Sequence, residues 1–174
     1  MTTTATIAAD RGGKFLTFFL ADEEYGVEIL KVQEIVGLQP ITRVPRTPAF
    51  VRGVINLRGK VIPIMDLRER FGMPTHDAAD EARGRCIVVV LVAGPHGQTV
   101  PVGLVVDRLS DVSAVPSDDV EDAPSFGAGV KTEYLLGLAK VRSADGNGRV
   151  MLLLDIDRVL ASDELAAVRT LDAA

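Results

Sequence analysis

The side chains in this sequence that are best suited to bind a ligand or partner are the cations of one short stretch. Residues 41–60, "ITRVPRTPAFVRGVINLRGK", contain four arginines and one lysine but no acid, and Arg58 stands between two apolar runs with Gly59 directly behind it. A guanidinium offers paired planar donors that suit carboxylate or phosphate oxygens. Residues 107–122, "DRLSDVSAVPSDDVED", carry six acids against one arginine. Charges segregated in this way form either two solvated faces or surfaces that attract partners of complementary charge.

Residues that could serve a catalytic or metal site are scattered along the chain. His76 and His96 lie in polar, turn-like stretches without a nucleophile motif, and Cys86 opens an apolar run typical of a buried strand. The carboxylates of "LDID", Asp155 and Asp157, are explained by helix capping. A single cysteine cannot form an internal disulfide, and the sequence has no Cys/His cluster for zinc. We therefore predict no catalytic residue, no metal site and no cofactor.

Composition and net charge narrow the function classes. The chain has 174 residues, of which 47% are hydrophobic, and this suffices for a core in one domain or two small ones. Its net charge of -5 disfavours nucleic acid as a partner. No stretch approaches the roughly 18 to 20 apolar residues of a membrane-spanning helix, and the N-terminus shows no apolar signal segment. We expect a cytoplasmic protein that does not insert into a membrane.

The chain contains an internal repeat. "KFLTFFLADEEYGVEILKVQEIV", from Lys14, and "RCIVVVLVAGPHGQTVPVGLVVDRLSDV", from Arg85, share the order of an apolar run, a polar turn and a second apolar run that contains glycine. Three pairs match at one offset of 77 residues, namely Gly26 with Gly103, Lys31 with Arg108, and Glu34 with Asp111. The sequence therefore predicts a duplication with halves of roughly 70 to 80 residues.

Each half contains about five β-branched runs between Gly, Pro and Asp clusters, a pattern that predicts short strands. They lie near 14–21, 24–30, 41–44, 53–57 and 60–66 in the first half, and near 85–93, 98–106, 112–115, 134–141 and 149–154 in the second. Many short strands without intervening helices favour small closed barrels, because closure removes unpaired edges. We predict an all-β fold of two barrels side by side. Pro63 cannot donate to a ladder, so its strand should be an edge or carry a bulge.

Helices are expected to be few and short. Asp66 and Glu69 form a candidate capping box for a turn or two that ends at Gly72, and a C-terminal helix begins at Asp155 or Asp157. The expected segments are a flexible N-terminus over 1–13, a domain over 14–165, and a C-terminal helix and tail over 155–174. Within the domain, a first barrel lies mainly in 14–72 and a second mainly in 84–154. Which strands close which barrel stays open, and an exchange of strands between the halves is possible.

Several separate motifs carry a resemblance to a known family. "DEEYGVEILKVQEIVG", "TPAFVRGVINLRGKVIPIMDLR", "GLVVDRLSDV" and "TEYLLGL" resemble the CheW family of bacterial chemotaxis coupling proteins, over nearly everything from Lys14 to about Glu164. The resemblance implies two SH3-like five-stranded barrels related by pseudo-symmetry. It also implies a scaffold without catalysis that binds the regulatory domain of the histidine kinase CheA and the cytoplasmic hairpin tip of chemoreceptors, in membrane-associated receptor arrays.

The same resemblance implies a set of binding residues. Glu34 and Arg58 should pair beside the receptor groove, where the guanidinium can still offer donors to a receptor helix. The apolar floor of a helix-in-groove contact would come from Val32, Ile87 and Val112, unless these are simply core residues. Gly53 would permit a close backbone approach, and its alternative role is strand-start geometry. Phe126 would supply a second kinase contact that closes rings in receptor arrays, unless this loop residue folds back onto the core.

Two other function classes remain as alternatives at this point. A small β-barrel could bind DNA or RNA through the basic 41–60 stretch, with binding that falls steeply as salt is added. An enzyme would need one of the two histidines, but the sequence names no substrate for it.

Overall fold

The structure is a computed structural model that describes residues 12–21, 23–72, 85–94, 97–122, 134–142 and 148–160. The strands are β1 (Gly13–Leu20), β2 (Glu23–Glu28), β3 (Val32–Gly37), β4 (Val51–Leu57), β5 (Lys60–Asp66), β6 (Cys86–Ala93), β7 (Thr99–Val106), β8 (Arg108–Val115), β9 (Val120–Glu121), β10 (Leu135–Arg142) and β11 (Gly148–Leu154). The α-helices within these residues are α1 (Leu67–Arg70) and α2 (Ile156–Val159), and 3-10 turns cover Ile29–Lys31 and Ser117–Asp119.

The predicted strands are confirmed except at 41–44, where Thr42 makes a single bridge to Val54. Two strands were not predicted. In β3, "VQEIVG", a glutamine and a glutamate interrupt the apolar run, and its residues alternate between half-buried and exposed. The other, β9, is only two residues long. Both depend on tertiary neighbours more than on local pattern.

The strands form two sheets, and each sheet takes strands from both halves of the chain. The six-stranded sheet has the order β8-β1-β2-β11-β10-β9, and the five-stranded sheet has the order β3-β6-β7-β5-β4. The first hairpin of each half, β1–β2 or β6–β7, therefore lies in the sheet built mainly by the other half. This exchange decides which strands belong to which barrel, a question that the sequence left open. Only one sheet has the expected five strands, because β9 adds a sixth to the other.

The two sheet orders correspond strand for strand, as a duplication requires. When β3-β6-β7-β5-β4 is set against β8-β1-β2-β11-β10, the single parallel pair of each sheet falls at the same place, β5 with β7 and β11 with β2. The matched glycines lie in these parallel pairs. A Cβ on Gly103 would lie 2.5 Å from Ile64 Cδ1, and one on Gly26 would lie 3.2 Å from Leu153 Cδ2. The repeat therefore preserves a crowded position inside each barrel.

The buried side chains of the described residues form three core clusters. One fills the six-stranded sheet and comprises Phe15, Val115, Val120, Ala139, Met151 and Leu153. Another fills the five-stranded sheet and comprises Ile55, Ile62, Ile64, Ile87, Val89 and Val105. The third and largest contains residues of both sheets, among them Leu16, Phe18, Tyr25, Val88, Val90 and Leu104. Successive residues along β1, and likewise along β6, thus belong to different clusters, so both faces of each strand are buried. This explains why both strands are apolar almost throughout.

Of the two alternatives predicted for the strand of Pro63, the edge is wrong, because β5 lies between β7 and β4. The other alternative was a bulge, and the β4–β5 pair does have a register shift of this kind, between Val51 and Gly53. Pro63 is opposite Val54 on β4, and Val54 directs both its N–H and its carbonyl to Thr42 instead of to β5. On the other side, the parallel pairing with β7 begins only at Ile64. No ladder hydrogen bond therefore needs the N–H that proline lacks.

Both α-helices begin with an aspartate cap, as predicted. Asp66 accepts a hydrogen bond from Arg68 N–H at 2.9 Å, while its own N–H donates to Phe50 O, so the return half of a capping box does not form. Asp155 caps α2 by accepting from Arg158 N–H. Ile156 and Val159 of α2 are buried, whereas residues 161–174 lie outside the described part of the chain.

Candidate functional site

The candidate site begins at the turn between β4 and β5. Arg58 has a φ of 54° and Gly59 a φ of 86°, and Leu57 pairs with Lys60 around them. Positive φ at both central residues is typical of the type I′ turn that connects tight hairpins. Gly59 N–H donates to Asn56 Oδ1 at 2.9 Å, which holds the turn. A left-handed conformation costs a non-glycine residue about 1 kcal/mol, so Arg58 is placed at the hairpin tip against its own preference.

From this tip, Arg58 pairs with Glu34 on β3. Arg58 Nη1 donates to Glu34 Oε2 at 2.7 Å, and Nη2 donates to Oε1 at 2.6 Å, so the contact is bidentate. β3 and β4 stand at opposite ends of the five-stranded order. The ion pair therefore spans the seam of this barrel, which the bridge between Thr42 and Val54 also joins.

The pair is charged and accessible. Hydrogen bonds from Arg58 lower the pKa of the Glu34 carboxyl, and the same contact raises the pKa of the guanidinium. The Arg58 side chain is 73% exposed and that of Glu34 is 20% exposed. The two carboxylate contacts leave other guanidinium donors accessible to a ligand, because arginine has more donors than this pair uses. The pair that the resemblance implies is present at the surface.

The other predicted groove residues differ sharply in exposure. Val32 is half-buried against the cluster that both sheets share. Ile87 is completely buried inside the five-stranded sheet, which is the core role kept open for it above. Val112 is 47% exposed on β8 of the other sheet. Only Val32 and Val112 of these three therefore reach the surface.

Gly53 makes its close approach within the chain. Its φ is 140°, and a Cβ there would lie 2.0 Å from the carbonyl oxygen of Thr42. The β4–β5 register shifts between Val51 and Gly53, as at a β-bulge. Gly53 is buried and lets the segment after β3 lie against β4.

Sequence reasoning missed two exposed apolar residues beside Val32. Leu30, in the 3-10 turn before β3, is 91% exposed, and Ile35 on β3 is 42% exposed. The turn is fixed by Lys31, whose Nζ donates to Asp157 Oδ2 at 2.9 Å, and that hydrogen bond raises the pKa of Lys31. The signal that could have identified Leu30 is its neighbour Ile29, which packs on the core and turns the next side chain outward.

The basic stretch is less basic in the folded chain than in the sequence. Arg58 is paired with Glu34, and Arg52 Nη1 donates to Asp66 Oδ2 at 3.1 Å. Two of its five cations are thus held by acids of the same chain, which weakens the nucleic-acid alternative.

Other candidate residues give no sign of a second site. Burial raises the pKa of the Cys86 thiol, which opposes a nucleophilic role. Among the described residues, no cluster of three or more His, Cys, Asp or Glu side chains could hold a metal. In the same part of the chain, no helix is long and apolar enough to cross a membrane. Phe126, His76 and His96 lie outside the described residues.

The comparisons with known proteins decide the family. A family model described as the CheW-like domain matches residues 14–164. The chain belongs to the CheW family. It is 42% identical over 157 residues to the chemotaxis protein CheW of Klebsiella aerogenes, covering 90% of this chain and 87% of the relative. It is 34% identical over 167 residues to the chemotaxis protein CheW of Rhizobium meliloti, covering 96% and 99%.

A solved structure supports the same family. The scaffolding protein TtCheW from Thermoanaerobacter tengcongensis matches with a TM-score of 0.73 and 30% identity, covering 88% of this chain and 90% of that one. The prediction of an all-β fold with two SH3-like barrels is thus confirmed. As a CheW-family protein, the chain is a non-catalytic scaffold in chemotaxis signalling and interacts with components of that system.

Proposed function

We propose that this chain couples chemoreceptors to the histidine kinase CheA by binding the cytoplasmic hairpin tip of the receptor and the regulatory domain of the kinase. The observation that carries the receptor half is the exposed bidentate pair of Glu34 and Arg58 at the barrel seam. Its location would be the cytoplasm, at membrane-associated receptor arrays.

A receptor helix would make two kinds of contact here. Polar groups on the helix would accept hydrogen bonds from the accessible donors of Arg58, which Glu34 holds in place. Apolar side chains would pack on Val32 and on Leu30, which is exposed two residues before it. Val112, on the strand of the other sheet that corresponds to β3, would contact the helix from the opposite side.

Two residues of the proposed receptor site would act from beneath the surface. Ile87 pairs with Val36 across β6 and β3, so its packing fixes the strand that carries Glu34. Gly53 lets the segment after β3 close on β4, whose hairpin carries Arg58. Phe126 is the residue that we propose for the second kinase contact, the one that closes rings in arrays.

The test measures two readouts, receptor-fragment affinity and CheA autophosphorylation with the receptor fragment present. The wild-type chain should raise kinase activity in the mixture. Glu34→Ala and Arg58→Ala should each weaken receptor affinity about tenfold, since hydrogen bonds to charged groups contribute on this scale. Each should also reduce the kinase response.

The matched control is another exposed ion pair. Lys140 Nζ lies 2.6 Å from Glu121 Oε1 on the six-stranded sheet. Lys140→Ala removes a similar surface charge and should leave receptor affinity unchanged. Equal affinities for wild type, Glu34→Ala and Arg58→Ala would remove the receptor assignment. A folded wild-type chain that leaves kinase activity unchanged would remove the coupling to CheA.

A further inference from the structure

A second charged surface lies where the segment after β3 leads into β4. It is an open cleft with a volume of about 700 Å³. Its lining includes Arg43, Arg46, Arg52, Glu69, Pro45 and Pro48. None of these residues belongs to the proposed receptor site.

The arginines of this cleft differ in their partners. Arg52 is held by Asp66 at 3.1 Å. Arg43 and Arg46 are exposed, and in the described part of the chain neither lies within ion-pair distance of an acid. Among the described residues, these two guanidinium groups therefore line one cleft without an acid that occupies their donors.

One of these arginines, Arg46, has an unfavourable backbone conformation. Arg46 has a φ of 63°, in the left-handed region, between Pro45 and Thr47. Thr47 Oγ1 donates to Val44 O at 2.9 Å and holds the turn, while Pro45 and Pro48 restrict the backbone on both sides. Strained conformations persist where surrounding structure enforces them and are common at binding sites. The backbone at Arg46 is thus held in one conformation, so binding a ligand there needs no ordering of this turn.

We propose that this cleft binds an acidic, extended segment of a partner protein, with Arg43 and Arg46 donating to its carboxylates. The planar fork of arginine matches a carboxylate. A small free anion is disfavoured because the cleft is open, whereas small-ligand sites bury most of the ligand. Nucleic acid is disfavoured because its affinity depends on many phosphate contacts, and the two arginines of the cleft would neutralise only about two phosphates.

The experiment measures fluorescence anisotropy of a fluorescein-labelled hexaglutamate peptide titrated with the full chain, in low and in physiological salt. Hexaglutamine is the uncharged control peptide, and inorganic phosphate and an oligothymidylate are competitors. We expect binding of hexaglutamate but not hexaglutamine, with weaker binding in salt. The Arg43→Gln/Arg46→Gln double variant should lower affinity about tenfold or more.

The matched control variant is Lys60→Gln. Lys60 is an exposed cation of the same basic stretch but does not line the cleft, so its replacement should leave affinity within about twofold. If the double variant unfolds at a lower midpoint than the wild type, the single variant Arg43→Gln is measured instead. It leaves the left-handed turn at Arg46 unchanged.

Several outcomes overturn the proposal. These are no binding of hexaglutamate to the folded chain, an equal loss in Lys60→Gln, or binding of oligothymidylate or phosphate without hexaglutamate. Self-association of the wild-type chain that the double variant abolishes would also overturn it, in favour of the acidic 107–122 stretch of a second copy as the occupant. If the double variant binds the receptor fragment with wild-type affinity, its loss of hexaglutamate binding is distinct from an effect on the proposed receptor site.

Discussion

Arg58 occupies a backbone conformation that disfavours side chains, one residue before a glycine that accepts it freely. Asparagine or glycine would suit this turn position better. What arginine adds is reach: from the hairpin tip its guanidinium spans the seam to Glu34 and binds both carboxylate oxygens. The strained backbone of Arg58 thus places its guanidinium at a defined position on the surface.

A residue-scale prediction concerns the ionisation of Glu34. Its hydrogen bonds with Arg58 hold the pKa of the carboxyl below the ordinary value of 4.5. A group with a lowered folded-state pKa keeps its pairing above the ordinary value and loses it as the pH falls through the lowered one. The pair should therefore be intact at neutral pH and open only in acid. Arg58→Gln should raise the pKa of Glu34 toward 4.5 in a carboxyl NMR titration.

Lys140→Gln is the control for this titration, because it removes an exposed cation that is paired with Glu121 instead. It should leave the pKa of Glu34 unchanged. The same Glu34 titration curve in wild type and Arg58→Gln would show that the bidentate contact does not persist in solution.

At the scale of the element, the β4–β5 hairpin depends on two glycines for different reasons. Gly53 has a positive φ and no space for a side chain, since a Cβ would lie 2.0 Å from Thr42 O. Gly59 has a positive φ of 86°, but its Cβ position meets no atom within 4 Å. The first glycine is required by packing as well as by conformation, and the second by conformation alone.

This contrast predicts unequal losses of stability. Gly53→Ala should lower the free energy of unfolding by about 3 kcal/mol or more, because backbone strain and a clash combine. Gly59→Ala should lower it by only about 1 kcal/mol, the cost of a left-handed alanine. Urea denaturation of the full chain measures both values. Equal losses, or a larger loss for Gly59→Ala, would contradict the close approach to Thr42.

At the scale of the whole molecule, the two halves exchange their first hairpins. β6 and β7 lie between β3 and β5 in one sheet, and β1 and β2 lie between β8 and β11 in the other. Neither half can complete a sheet alone, and the largest buried cluster draws on both. We therefore expect the described core to unfold as one cooperative unit, although the duplication divides the sequence in two.

Calorimetry of two core variants tests this cooperativity. Ile87 and Met151 are both fully buried, one inside each sheet. Ile87→Ala and Met151→Ala should each remove about 2 to 5 kcal/mol of stability. Each should also shift a single transition that circular dichroism and calorimetry report at the same temperature. Two transitions, with each variant lowering only one of them, would show that the barrels unfold independently.

Much of the fold could be predicted from the sequence because its signals are local. β-branched runs between turn residues located most strands, and Asp66 and Asp155 indicated where the short helices begin. The offset of 77 residues indicated a duplication, and the motifs around Glu34 and Arg58 indicated the family. The strand β3, with its polar interruption, and the bridge at Thr42 could not be predicted in this way. Each depends on a distant segment, β6 for β3 and Val54 of β4 for Thr42.

Tertiary structure alone decided which strands share a sheet and which apolar residues reach the surface. Backbone hydrogen bonds carry no side-chain identity, so a run such as β6 pairs equally well with strands of either half until packing selects among them. Ile87 and Val112 look alike in the sequence, yet Ile87 is buried on an inner strand and Val112 is exposed on an edge strand. Sequence therefore determined most of the strands, the repeat and the charged pair, whereas tertiary packing determined which of their side chains a partner can touch.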